Sequence, residues 1–112
     1  MKDDKTYLLH ILEAIEKIER YIATVEFDGF SDNDMMIDAV VRELEIIGEA
    51  ARNLSESFQD KHIEIPWYKI KAMRNVLIHE YFGVNLKVVW DSCKNDIPAL
   101  KTFIDKVLND TK

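Results

Sequence analysis

The sequence predicts an all-α protein, an antiparallel bundle of four or five helices. Only three glycines and two prolines occur in 112 residues, so helix breakers are scarce. Apolar residues recur at intervals of three and four rather than in alternation, as on a helix face that packs against a core. Since 47% of the residues are hydrophobic, the chain can bury one core, and we expect a single domain over residues 1–112.

Two long helices are predicted in the first half of the chain. The first begins near Asp3 or Asp4 and extends to about Val25. Its apolar stripe is Leu8, Ile11, Leu12, Ile15, Ile18, Ile22 and Val25. Gly29 and the polar residues around it predict a turn, after which Ser31 is a candidate N-cap. The second helix then continues to about residue 58, and its stripe is Ile37, Val40, Val41, Leu44, Ile47, Ala51, Leu54 and Phe58.

Shorter helices are predicted in the second half, each from a residue that starts or stops a helix. Pro66 suits the first turn of a helix, where its missing N–H would have no partner. Gly83 can end that helix, and Asn85 can cap the next one. Pro98 requires a break, a kink or a new start near Asp96.

The composition narrows the possible classes of protein. The single cysteine, Cys93, cannot form an intramolecular disulfide, and its apolar neighbours predict a small core residue rather than a nucleophile. Every apolar stretch is interrupted by charge, so no membrane role is expected, and the predicted location is cytoplasmic.

The charge is unevenly distributed along the chain. A formal net charge of −6 argues against nonspecific coating of nucleic acid, which requires basic residues. Residues 61–87 nevertheless hold five basic side chains against two acidic ones. Chance placement on solvated helix faces and contact with nucleic acid both remain open explanations of this surplus.

Four kinds of polar side chain interrupt an apolar helix between residues 73 and 82. At about 100° per residue, Arg74 and Tyr81 lie on one line of the predicted helix, and Asn75 and His79 lie on the adjacent line. A histidine can move a proton to or from RNA, and an arginine can stabilise the charge that builds on the scissile phosphate. A capping histidine or a buried polar network would produce the same pattern.

These residues resemble the signature of the HepT-like toxins, ribonucleases of the HEPN superfamily. The signature consists of Arg74, four intervening residues, His79, one residue and Tyr81. The resemblance also includes Asp38, Ala39, Val40, Arg42, Glu43, Leu44, Ile47, Gly48, Glu49, Ala50, Ile65, Pro66, Trp67, Ile70, Met73, Asn75, Trp90 and Pro98. It therefore covers nearly the whole chain.

The resemblance implies a homodimeric toxin of a type II toxin–antitoxin system that cleaves RNA in a cleft between the two subunits, without a metal or another cofactor. Arg74 and His79 would be catalytic, and Asn75 is the polar residue that follows the arginine in the family pattern. We assign Asn75 and Lys71 supporting, RNA-contacting roles. Tyr81 would be the residue to which an MNT-type nucleotidyltransferase antitoxin attaches AMP. Phosphate and bulk beside Arg74 would then block the cleft and repel RNA.

Several alternatives stay open at this point. The same cleft could belong to a non-catalytic helical module that holds a nucleotide or a partner protein. Glu43 and Glu49 could reach the cleft from the second helix, but we expect them to be solvated. His10 and His62 are predicted to be surface or partly buried residues rather than metal ligands, because neither belongs to a cluster of ligating residues.

Overall fold

The computed structural model describes residues 2–72 and 85–110, and all regular structure within these two ranges is helical. The helices are α1 (Lys2–Ile22), α2 (Phe27–Ser31), α3 (Asp34–Arg52), α4 (Glu56–Lys61), α5 (residues 67–72), α6 (Leu86–Asp91) and α7 (Ile97–Asp110). None of the helices in these ranges is long and apolar enough to cross a lipid bilayer. The predicted all-α class is confirmed for this part of the chain.

Helices α1 and α3 pack along each other and supply half of the core. The predicted stripes are the buried faces, although Leu12, Val25, Ile37 and Phe58 are only partly buried. The buried hydrophobic side chains of these two helices are Leu8, Ile11, Ala14, Ile15, Ile18, Ile22, Val40, Val41, Leu44, Ile47, Ala50 and Ala51. Packing α1 on α3 removes both stripes from water, and this burial is the main stabilising contribution to the helices.

The predicted turn around Gly29 is wrong, because residues 27–31 form the short helix α2. Phe30 of α2 is completely buried, and its ring centroid lies 5.2 Å from that of Trp90. Burial of such a ring outweighs the cost of a glycine in a helix, which is about 1 kcal/mol. The predicted N-cap is also wrong. Asn33, not Ser31, accepts a hydrogen bond from the Met36 N–H at 3.0 Å.

The predicted second helix divides into α3 and α4 at residues 53–55. The Ser55 hydroxyl caps α4 by accepting a hydrogen bond from the Phe58 N–H at 3.1 Å. The Asp4 carboxylate accepts from the Ser55 N–H at 2.8 Å and from the Ser55 hydroxyl at 2.7 Å. These bonds stabilise the break, because they satisfy polar groups that a continuous helix would have paired. They also place the start of α1 beside the end of α3, so the two helices run antiparallel.

The helices α6 and α7 begin at the residues that the sequence predicted. Asn85 caps α6, its side-chain oxygen accepting from the Lys87 N–H at 2.9 Å and the Val88 N–H at 3.3 Å. The discontinuity predicted near Asp96 is a π-helical turn over Ser92–Asp96, which leads directly into α7. Pro98 therefore occupies the first turn of α7, where a proline is tolerated. Gly83, the predicted end of α5, lies outside the described residues.

Cys93 lies in the π-helical turn and is buried, as predicted. Burial raises the pKa of its thiol from 9.0 to about 12, and the nearby Lys94 opposes part of this rise.

We expect the Cys93 thiol of the folded protein to be inert to a thiol-reactive aromatic disulfide at about pH 8, because only the thiolate is nucleophilic. In guanidinium, which unfolds the protein, the same thiol should react fully. The free energy of unfolding should fall as the pH rises from 9.0 to about 12, because the unfolded thiol loses its proton first. Rapid reaction of the native protein would contradict this prediction.

Candidate functional site

The predicted catalytic segment and the described structure meet at α5. Arg74, Asn75, His79 and Tyr81 lie outside the described residues. Lys71 is the one predicted site residue within them.

An aromatic cluster anchors the start of α5. It comprises Phe58, His62, Trp67 and Phe103, with ring centroids 4.6 Å to 6.4 Å apart in five pairs. Trp67 is 7% exposed, and its indole N–H donates to the His62 carbonyl at 3.0 Å. Pro66 directly precedes α5, and its carbonyl accepts from the Ile70 N–H at 3.2 Å. Packing against α4 and α7 thus fixes the beginning of the helix that leads towards Arg74.

Lys71 is half-buried and held by a neutral partner. Its ammonium group donates to the Gln59 side-chain oxygen at 2.9 Å. The Gln59 side-chain nitrogen donates in turn to the Leu54 carbonyl at 2.8 Å, which fixes the orientation of the amide. An amide oxygen positions an ammonium group without neutralising it. The charge of Lys71 therefore stays available to an anion.

Two other basic residues of the 61–87 segment, Lys69 and Lys87, are paired with carboxylates. Lys69 lies 3.2 Å from the Asp96 carboxylate, and Lys87 lies 3.5 Å from that of Asp91, one helical turn along α6. Both pairs are exposed to solvent and contribute little to stability. They do reduce the positive potential of their own surface, which leaves Lys71 as an uncompensated cation close to the predicted site.

Glu43 and Glu49 differ in their surroundings. Glu49 is exposed on α3, as predicted. The prediction of a solvated Glu43 is wrong, because this residue is only 6% exposed. The helical pattern alone does not explain why this charged residue is largely removed from solvent.

The comparison with protein families decides the family of this chain. The family model described as "Ribonuclease HepT-like" matches residues 11–107. The chain belongs to this HepT-like ribonuclease family. The match begins in α1, ends in α7 and includes every residue from Arg74 to Tyr81. The predicted family membership and the all-α HEPN-like class are both confirmed.

Curated HepT-like relatives match along almost all of this chain. A protein of Thermococcus cleftensis named "Probable ribonuclease HepT" is 44% identical over 95% of this chain and 96% of its own length. A protein of Caldanaerobacter subterraneus subsp. tengcongensis with RNase in its name is 40% identical over the full length of both chains. A Methanocaldococcus jannaschii protein, whose name joins gamma-glutamylcyclotransferase to RNase, is 47% identical over 97% of this chain. The chain spans about half the length of that last relative. No solved structure matches the chain significantly.

Proposed function

We propose that this chain is a metal-independent endoribonuclease, the toxin of a type II toxin–antitoxin pair, acting in the cytoplasm. The observation that carries the proposal is the family match, which extends across the Arg74, His79 and Tyr81 motif. The ribonuclease names of relatives that align over their whole length support the same activity. RNA is accordingly the proposed substrate.

The proposed reaction is an internal transfer of the phosphate. His79 removes the proton from a ribose 2′-hydroxyl, and the freed oxygen attacks the adjacent phosphorus. The bond from phosphorus to the 5′-oxygen of the next nucleotide breaks, and a second imidazole donates a proton to that oxygen. Arg74 stabilises the charge on the phosphate as it builds up. The products are one fragment with a cyclic phosphate and one with a 5′-hydroxyl.

A homodimer would complete this site. Each chain contributes one arginine and one histidine to the motif, whereas the reaction uses one base and one acid. A two-fold axis through the cleft would bring the His79 residues of both copies to the same phosphate. Asn75 would orient these groups by hydrogen bonding, and Lys71, which Gln59 already holds, would contact a neighbouring phosphate.

Cleavage in the presence of a metal chelator tests the proposed activity. Purified protein should cut single-stranded RNA in excess EDTA and yield fragments that end in a cyclic phosphate, identifiable by mass spectrometry. The matched control is an RNA of the same sequence whose 2′-hydroxyls are methylated, and this RNA should stay intact. Cleavage that depends on an added divalent metal would contradict the proposal. Binding of RNA or nucleotide without any cleavage would favour the non-catalytic module instead.

The proposed regulation is transfer of AMP to Tyr81 by an MNT-type nucleotidyltransferase antitoxin. Co-expression with that partner should increase the intact mass of the chain by one or more AMP units. The Tyr81→Phe variant should show no increase, because it lacks the hydroxyl that accepts AMP. Tyr68→Phe is the matched control, since Tyr68 is 79% exposed and precedes the motif in the same segment. AMP on the Tyr81→Phe variant, or none on the wild type, would contradict the assignment.

A further inference from the structure

The end of α3 and the helix α5, which precedes the predicted catalytic segment in the sequence, form an open depression. Its lining residues are Arg52, Tyr68, Lys71 and Ala72. Tyr68 and Lys71 are three residues apart on α5 and therefore share one face of the helix. Arg52 is the last residue of α3. Two cations and one aromatic ring thus line the depression, and none of the lining residues that the structure describes is acidic.

The two cations are available to a ligand. Lys71 donates to the neutral Gln59 amide, and no residue of the described ranges forms a hydrogen bond or ion pair with the exposed Arg52 side chain. Some lysines elsewhere do have a carboxylate partner. Lys101, for example, lies 2.8 Å from the Glu19 carboxylate. The described lining of the depression therefore carries two positive charges in a chain whose net charge is −6.

The aromatic ring is equally available. Tyr68 is 79% exposed, although the other aromatic residue of α5, Trp67, is buried in the cluster with Phe58 and Phe103. An exposed ring flanked by cations is the arrangement that single-stranded nucleic acid requires, because a base stacks on the ring while its phosphates contact the cations.

We propose that this depression binds single-stranded RNA next to the cleaved bond, with one base stacked on Tyr68 and the flanking phosphates on Arg52 and Lys71. This inference rests on the proposed ribonuclease function for its substrate. It assigns roles to Tyr68 and Arg52 that the motif does not contain. Lys71 precedes Arg74 by three residues, and three residues of chain span at most about 11 Å. A strand bound at Lys71 would therefore contact the chain three residues before the predicted catalytic arginine.

Binding of a strand that cannot be cleaved tests the depression separately from catalysis. The probe is a fluorescent single-stranded oligonucleotide with methylated 2′-hydroxyls, and the readout is fluorescence anisotropy. Tyr68→Ala should weaken binding about tenfold, whereas Tyr68→Phe, which keeps the ring, should bind as the wild type does. Arg52→Gln and Lys71→Gln should each reduce the slope of log affinity against log salt by about 0.7. Lys106→Gln removes an exposed cation from α7 and is the matched control, with an unchanged slope.

The outcomes separate this inference from the proposed function. If Tyr68→Ala binds and cleaves RNA as the wild type does, the proposed RNA-binding role of the depression is wrong, and the proposed ribonuclease activity is unaffected. If the wild type binds RNA without cutting it and Tyr68→Ala loses this binding, the RNA-binding role of the depression is supported. The proposed ribonuclease activity is then wrong. A change from dimer to monomer in Tyr68→Ala, measured by light scattering, would overturn the inference, because the ring would then belong to the contact between two copies of the chain.

Discussion

Cleavage of RNA is expected to fall by about 10²- to 10⁴-fold when either Arg74 or His79 is replaced by alanine. In the proposed reaction His79 moves protons between oxygens, and Arg74 stabilises the charged phosphate. The two losses should not add fully in the double variant, since both residues act on one transition state. Initial rates on one RNA of defined sequence, at equal concentrations of folded protein, measure the effect.

Exposed residues of the same chemical types serve as controls. His10 and Arg20 are both exposed on α1, and alanine at either position should leave the rate of cleavage unchanged. Circular dichroism and light scattering should show that the Arg74→Ala and His79→Ala proteins keep the fold and the oligomeric state of the wild type. If both variants cut RNA at the wild-type rate, the assignment of the catalytic residues is wrong.

Replacement of Phe30 by alanine should lower the free energy of unfolding by about 3–5 kcal/mol. Phe30 is completely buried, and it is the largest of the fully buried side chains in the described residues. Its ring packs against Trp90, so it connects α2 to α6, two helices that are far apart in the sequence. Truncation would leave a cavity at this junction, and thermal unfolding should show a melting temperature lower by more than about 10 °C.

Met35 provides the control for this truncation. It lies five residues further along the chain and is 83% exposed. Met35→Ala should change the stability by less than about 0.5 kcal/mol, because the side chain already contacts water. Equal stabilities of Phe30→Ala and Met35→Ala would show that the α2 contact with Trp90 does not contribute to the folded state.

Features of the fold that depend on neighbouring residues could be predicted from the sequence. The apolar stripe of α1, the Asn85 cap and the discontinuity before Pro98 all follow from residues within a few positions of one another. Features that depend on distant partners could not. The α2 helix forms because Phe30 meets Trp90, and the break before Ser55 is stabilised by Asp4, which is 51 residues away.

The same distinction applies to the candidate site. The Arg74, His79 and Tyr81 motif is local, so it can be read directly from the sequence, and its resemblance to the HepT-like signature is what predicts these site residues. The depression combines α3 with α5, and no sequence pattern brings Arg52 near Tyr68. Glu43 also escaped prediction, because the width of the buried face of α3 depends on packing that the periodicity of the helix does not reveal.

The hydrogen bonds that Ser55 donates to the Asp4 carboxylate tie the first turn of α1 to the start of α4. Ser55 starts the α4 helix that carries Gln59, and Gln59 in turn holds the ammonium group of Lys71. A tag fused rigidly to the first residues, or removal of that turn by a protease, would therefore disturb the proposed RNA-binding depression, although the two are far apart in the sequence. Protein expressed without a fusion at its first residues should keep the geometry of that depression.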